Sequence, residues 1–73
     1  MAAPKQSFLK SFGERLQHIR KTTTELSQEE LADKAKIHRT YMGRIEQGKS
    51  NPPAYTIHKI LKALGAKASQ LFE

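Results

Sequence analysis

The chain has 73 residues, room for one small core and no more. It contains no cysteine, which excludes disulfide staples and thiolate metal sites and leaves packing as the source of stability. Thirteen Lys and Arg against seven Asp and Glu give a net charge of +6 and a pI near 9.9, a balance that draws in nucleic acid, anionic membranes or acidic proteins. The charge is segregated: residues 1–24 are net +4, residues 25–35 net −3 and residues 36–73 net +5. The sequence has no membrane-length apolar run, and its first seven residues, MAAPKQS, are too short and polar for a targeting segment. A cytoplasmic, soluble protein is expected, with a flexible segment over 1–7 and one domain over 8–73.

Leu9, Phe12, Leu16 and Ile19 recur at helical spacing and predict a first helix from Phe8 to about Lys21. Thr22, Thr23 and Thr24 are poor helix formers and mark a connection. The second helix announces its start: Ser27 is the N-cap, Glu30 completes a capping box, and Leu26 can staple onto Leu31. Glu29, Glu30 and Asp33 lie where the helix dipole favours acids, so the acidic stretch reads as a helix start rather than an acidic binding face. Leu31, Ala32 and Ala35 form its apolar side, and Lys36 and Ile37 make a turn. A third helix, about His38 to Gln47, sets Met42 and Ile45 inward, Tyr41 at the margin, and Arg39, Thr40, Gly43 and Arg44 outward, with Gly48 as its stop.

KSNPP is a turn, and Pro53 suits the first position of a fourth helix with the stripe Ile57, Ile60, Leu61, Leu64. Gly65 ends that helix, and a last short helical turn places Leu71 and Phe72 on the core. No period-2 run occurs, so the expected fold is all-α with five helices.

Gln28, Leu31, Ala32, Ile37, Met42, Ile45, Glu46 and Gly48, with Gly13 and Arg15 to Arg20 before them and KILKALGAKASQLF after, resemble the phage-repressor and Cro-like regulators. This is also called the xenobiotic-response-element family. The likeness covers roughly residues 12 to 72, and RTYMGRIEQG is most similar to small controller proteins of restriction–modification systems. The resemblance implies a compact lambda-repressor-like domain with its helix-turn-helix at helices 2 and 3. Several positions depart from the pattern. Lys36 stands where glycine is usual, the connection after helix 1 is one residue longer and lacks its glycine, and His38, Pro53 and Lys67 replace capping serines.

In such a fold the third helix enters the DNA major groove while the second crosses the backbone. The resemblance therefore implies base contacts from Arg39, Thr40 and Arg44. An arginine can bind guanine O6 and N7 bidentately, and Thr40 offers a methyl and a hydroxyl. Arg44 is equally suited to phosphate, and Thr40 to phosphate or a plain helix start. Backbone contacts are implied for Gln28, His38, Tyr41, Gly43, Lys49 and Asn51. Tyr41 could instead pack at the core edge, and Gly43 either allows close approach to DNA or is a neutral surface position. Glu46 opposes the helix dipole and needs a cation; the family supplies Arg20 from helix 1 as its partner.

His18, His38 and His58 lack metal-ligand spacing, and no nucleophile, acid–base pair or phosphate loop is evident, so no metal, cofactor or enzymatic activity is expected. Lys10, Lys21, Lys59 and Lys62 form no single basic face of the kind a membrane surface selects. The expected function is sequence-specific binding of double-stranded DNA at an inverted-repeat operator by a homodimeric transcription regulator. Leu71 and Phe72 are its expected interface, and RNA polymerase is a further candidate partner. The competing reading is a protein-interaction module or antitoxin-type partner on the same fold. The polar outward face of the third helix argues against that alternative.

Overall fold

Leu16, Leu31, Met42, Ile45 and Ile60 are fully buried, and they come from four different helices. In this computed structural model, which describes residues 4–72, α1 spans Pro4–Thr23, α2 Gln28–Ala35, α3 Arg39–Glu46, α4 Ala54–Leu64 and α5 Ala68–Leu71. The described residues contain no strand, so the five-helix, all-α reading holds. The second helix packs on both α3 and α4, while α1 packs on α3 and closes against α5. Leu9, Phe12, Leu16 and Ile19 all face the core, as their spacing requires. None of the described helices is long and apolar enough to cross a membrane.

The first helix is longer at both ends than its apolar stripe indicates. Of the segment read as flexible, residues 1–3 lie outside the described residues, whereas Pro4–Ser7 form the opening turn of α1. Pro4 occupies the first helical position, where its missing N–H would have had no partner anyway. At the other end Thr22 and Thr23 are helical, and the threonines replace the absent glycine cap. Their hydroxyls, with that of Thr24, donate to the carbonyls of His18, Ile19 and Arg20 at 2.8, 2.6 and 2.6 Å. The Thr24 hydroxyl also accepts from the Leu26 N–H at 3.1 Å, which leads the chain into α2.

The capping box of α2 is complete. The Glu30 N–H donates to Ser27 Oγ at 3.0 Å and the Ser27 N–H donates back to Glu30 Oε1 at 2.9 Å. Lys36 adopts the left-handed conformation, φ 59° and ψ 45°, that glycine would take without strain. Two bonds hold it there: its N–H donates to Asp33 O at 3.1 Å and the Ile37 N–H donates to Ala32 O at 2.9 Å. Gly48 and Gly65 close α3 and α4 with the same left-handed turn.

Two boundary expectations change. Pro53 precedes α4 as its N-cap instead of occupying the first helical position, and its carbonyl accepts the first helical bond from Ile57 at 3.1 Å. Phe72 lies beyond α5 and is 47% exposed, whereas Leu71 is 3% exposed and closes the monomer core.

Candidate nucleic-acid interface

Gly13 and Gly48 set how closely α1 approaches the end of α3. A Cβ on Gly13 would fall 2.5 Å from the carbonyl oxygens of both Ile45 and Glu46, and one on Gly48 would fall 2.6 Å from Lys10 Cα. Neither neighbour is a flexible side chain, so only glycine fits. The spacing brings Arg20 of α1 to Glu46 of α3. Arg20 Nε donates to Glu46 Oε2 at 2.8 Å and Nη2 donates to Oε1 at 3.0 Å, a bidentate pair. Nη1 donates to the Leu26 carbonyl at 3.2 Å, so one guanidinium ties together α1, the α1–α2 connection and α3.

Glu46 Oε1 accepts a further bond from Gln28 Nε2 at 3.1 Å. The first residue of α2 is thereby locked to the last turn of α3. All buried polar side-chain atoms among the described residues have partners, so the network carries no orphaned charge. With one Nε2 hydrogen given to Glu46, Gln28 keeps one N–H free for an outside acceptor. Its Oε1 points toward Gly43, where a Cβ would stand 3.2 Å away. Gly43 therefore makes room for Gln28, a role not visible in the helical pattern.

His38 caps α3 through its ring, with the Thr40 N–H donating to Nδ1 at 3.1 Å. An accepting Nδ1 leaves the proton of the neutral ring on Nε2, which turns the exposed edge of His38 into a donor. Thr40 and Arg39 are exposed at the start of α3. Arg39 Nη1 donates to Glu29 Oε2 at 3.0 Å, but the two side chains are 67% and 65% exposed, so this is a weak pair that another anion can displace. Arg44 instead leans on the following loop, donating from Nε to Ser50 Oγ at 3.3 Å and from Nη2 to the Lys49 carbonyl at 3.4 Å. Arg39 and Thr40 thus stand together at the N-terminal end of α3, while Arg44 joins the exposed Lys49 and Asn51. Tyr41 is half-buried with its ring against the core.

No group of three or more His, Asp or Glu residues that could hold a metal ion occurs among the described residues. The ensemble is a two-helix unit cross-linked through Gln28 and Glu46, with donors at the N-terminus of α2, along the start of α3 and in the loop after it. Such a surface can grip anionic oxygens and present a short row of side chains between them.

A helix-turn-helix domain family model matches residues 11–71. The control protein C.BamHI of Bacillus amyloliquefaciens is 40% identical over 62 residues, covering 85% of this chain and 76% of that protein. The control protein C.MunI of a Mycoplasma species is 43% identical over 61 residues, covering 84% and 82%. Among solved structures, the restriction–modification controller protein C.AhdI of Aeromonas hydrophila superposes with a TM-score of 0.86 at 36% identity, covering 90% of this chain and 98% of the other.

Proposed function

The chain belongs to the helix-turn-helix family of DNA-binding transcriptional regulators, and on that premise we propose that it binds a specific duplex site as a homodimer, with α3 in the major groove and α2 across the backbone. The observation that carries this reading is the exposed pair Arg39 and Thr40 at the start of a helix anchored at its far end by the Arg20–Glu46–Gln28 network. Arg39 leaves Glu29 for a guanine edge, and Thr40 meets a thymine methyl or the adjoining backbone.

Phosphates are held by donors that are unpartnered or, at Arg44, only loosely engaged by Ser50 Oγ and the Lys49 carbonyl at 3.3 and 3.4 Å. These are the second Nε2 hydrogen of Gln28 with the N-terminal amides of α2, His38 Nε2, the Tyr41 hydroxyl, and Lys49, Asn51 and Arg44 from the loop side. The lack of a side chain at Gly43 keeps the Gln28 amide in place between the two helices. A single recognition helix reads too few base pairs to select one site in a genome, which calls for two copies on an inverted repeat. Bound to such an operator in the cytoplasm, the dimer sets how RNA polymerase uses the neighbouring promoter.

Selection from a random duplex library with the purified protein is the direct test. The expected product is an inverted repeat with half-sites about one helical turn apart. Recovery of no enriched sequence would remove the reading, and a single unrepeated half-site would remove the dimer.

A further inference from the structure

A groove runs between the opening turns of α1 and the loop that follows α3. Lys5 and Lys10 line one wall, and Arg44, Lys49 and Asn51 line the other. Its lining holds four cations and no carboxylate, in a molecule where acids are available at other surfaces. The two walls are fixed to one another: Gly48, at φ +75°, lies so close that a Cβ would come within 2.6 Å of Lys10 Cα. The guanidinium of Arg44 is drawn to the groove side by Ser50 and the Lys49 carbonyl. Converging like charges raise the energy of the free protein and lower it again when a polyanion arrives.

Lys5 and Lys10 are both exposed, so their ammonium groups would stay largely hydrated. That suits a phosphodiester backbone passing over them better than a small anion that must be desolvated in a pocket. The other lysine-rich cleft differs. There, between α2 and α4, Lys59 is already committed, over the Tyr55 ring at 5.3 Å and donating to the Lys36 carbonyl at 3.5 Å.

We propose that Lys5 and Lys10 are DNA-backbone contacts that carry the interface from the 47–51 loop onto the N-terminal turns of α1. This rests on the DNA-binding reading above and enlarges its footprint. The contact is sequence-independent, so any mixed-sequence duplex of roughly 30 base pairs serves as the probe. Affinity is measured against salt for the wild type, for Lys5→Ala/Lys10→Ala, and for Lys34→Ala/Lys62→Ala, which removes equal charge from exposed positions on the other cleft.

Two lost phosphate contacts should flatten the log–log salt slope by about 1.8 and weaken binding by roughly tenfold or more near 0.1 M salt. The control pair should leave the slope close to the wild-type value, and Lys5→Arg/Lys10→Arg should restore it. Matching thermal melts establish that each variant is folded. Equal slopes for the two alanine pairs would show that only the overall field matters and would overturn the proposal. A wild type that binds no duplex would instead bring down the DNA-binding reading, and this inference with it.

Discussion

Gln28 and Gly43 face each other across the helix-turn-helix, 3.2 Å apart if Gly43 carried a Cβ. The same Gln28 amide donates to Glu46 at 3.1 Å, so it has little freedom to retreat. Glycine in a helix interior costs roughly 1 kcal/mol relative to alanine, and a hydrogen bond to a charged group is worth about 1.5–3 kcal/mol. In Gly43→Ala these two effects oppose each other, because the new methyl pushes on Oε1 while it favours the helix. Stability is expected to lie between about 1 kcal/mol above the wild type, if the bond to Glu46 survives, and about 2 kcal/mol below it, if the bond is lost. DNA affinity should nevertheless fall, because the displaced amide no longer presents its free N–H at the backbone. Denaturant unfolding and DNA titration on one preparation separate the two effects. Unchanged affinity alongside unchanged stability would remove Gln28 from the backbone contacts.

The Arg20–Glu46 pair is a packing device as much as an electrostatic one. The two side chains are 8% and 1% exposed, and the carboxylate accepts three donors. Removing either partner leaves the other buried and uncompensated, at a cost on the order of 3 kcal/mol for Arg20→Ala or Glu46→Ala. The double variant should cost clearly less than the sum of the singles, since no buried charge is left behind. Urea unfolding of the four proteins gives the coupling directly. An additive result would mean that the bidentate geometry contributes nothing beyond each side chain alone.

A pH dependence follows from the α2 cap. The Ser27 backbone N–H, then the Ser27 hydroxyl contact, hold the Glu30 carboxyl below its ordinary value of 4.5. The folded-state value is therefore the lower one. Its stabilisation is present above the unfolded carboxylate value and is lost as pH falls through the folded value. Glu30→Gln keeps an acceptor for the Ser27 N–H but has no proton to gain. Between neutral pH and about pH 3 its melting temperature should fall less steeply than that of the wild type. Parallel melting curves across that range would show that Glu30 does not contribute to the acid limb.

Much of this fold could be read from short-range chemistry. Ser27 with Glu30, Gly48 and Gly65 each carry their structural instruction within one turn of chain, and each acts as read. Lys36 was legible as an exception only through the family resemblance, which places glycine at that turn; nothing in its own side chain signals the left-handed conformation it adopts. The start of α1 was not, because no apolar residue precedes Phe8 in its stripe to signal the extra turn from Pro4. Within the candidate site, Arg39 and Thr40 were legible as outward residues of α3. The long-range relations were hidden. Gly13 matters because of carbonyls more than thirty positions away, Gly43 because of Gln28, and the Glu29–Arg39 pair and the Lys5–Lys10 groove exist only once the helices are packed. No periodicity encodes them.

The two C-terminal apolar residues, Leu71 and Phe72, have different surroundings and should respond differently to truncation. Leu71 is buried in the core of the single chain, so Leu71→Ala should cost about 2–5 kcal/mol of stability at any protein concentration. Phe72 behaves differently. Its ring lies 6.2 Å from Phe8, nearly parallel at 12°, and 5.4 Å from the buried Phe12. Phe8 and Phe72 remain 52% and 47% exposed, an aromatic pair resting on the core with its outer side uncovered. We propose that a second copy covers this pair in the homodimer, replacing the expected Leu71–Phe72 interface with Phe8–Phe72. Phe72→Ala and Phe8→Ala should each shift the monomer–dimer midpoint to higher concentration by tenfold or so, about 1.4 kcal/mol, while Lys67→Ala leaves it in place. Sedimentation equilibrium over the micromolar range, with and without the selected DNA site, measures this. A wild type that stays monomeric even on its best site would eliminate the dimer. One whose midpoint ignores both phenylalanines would move the interface to another face of the domain.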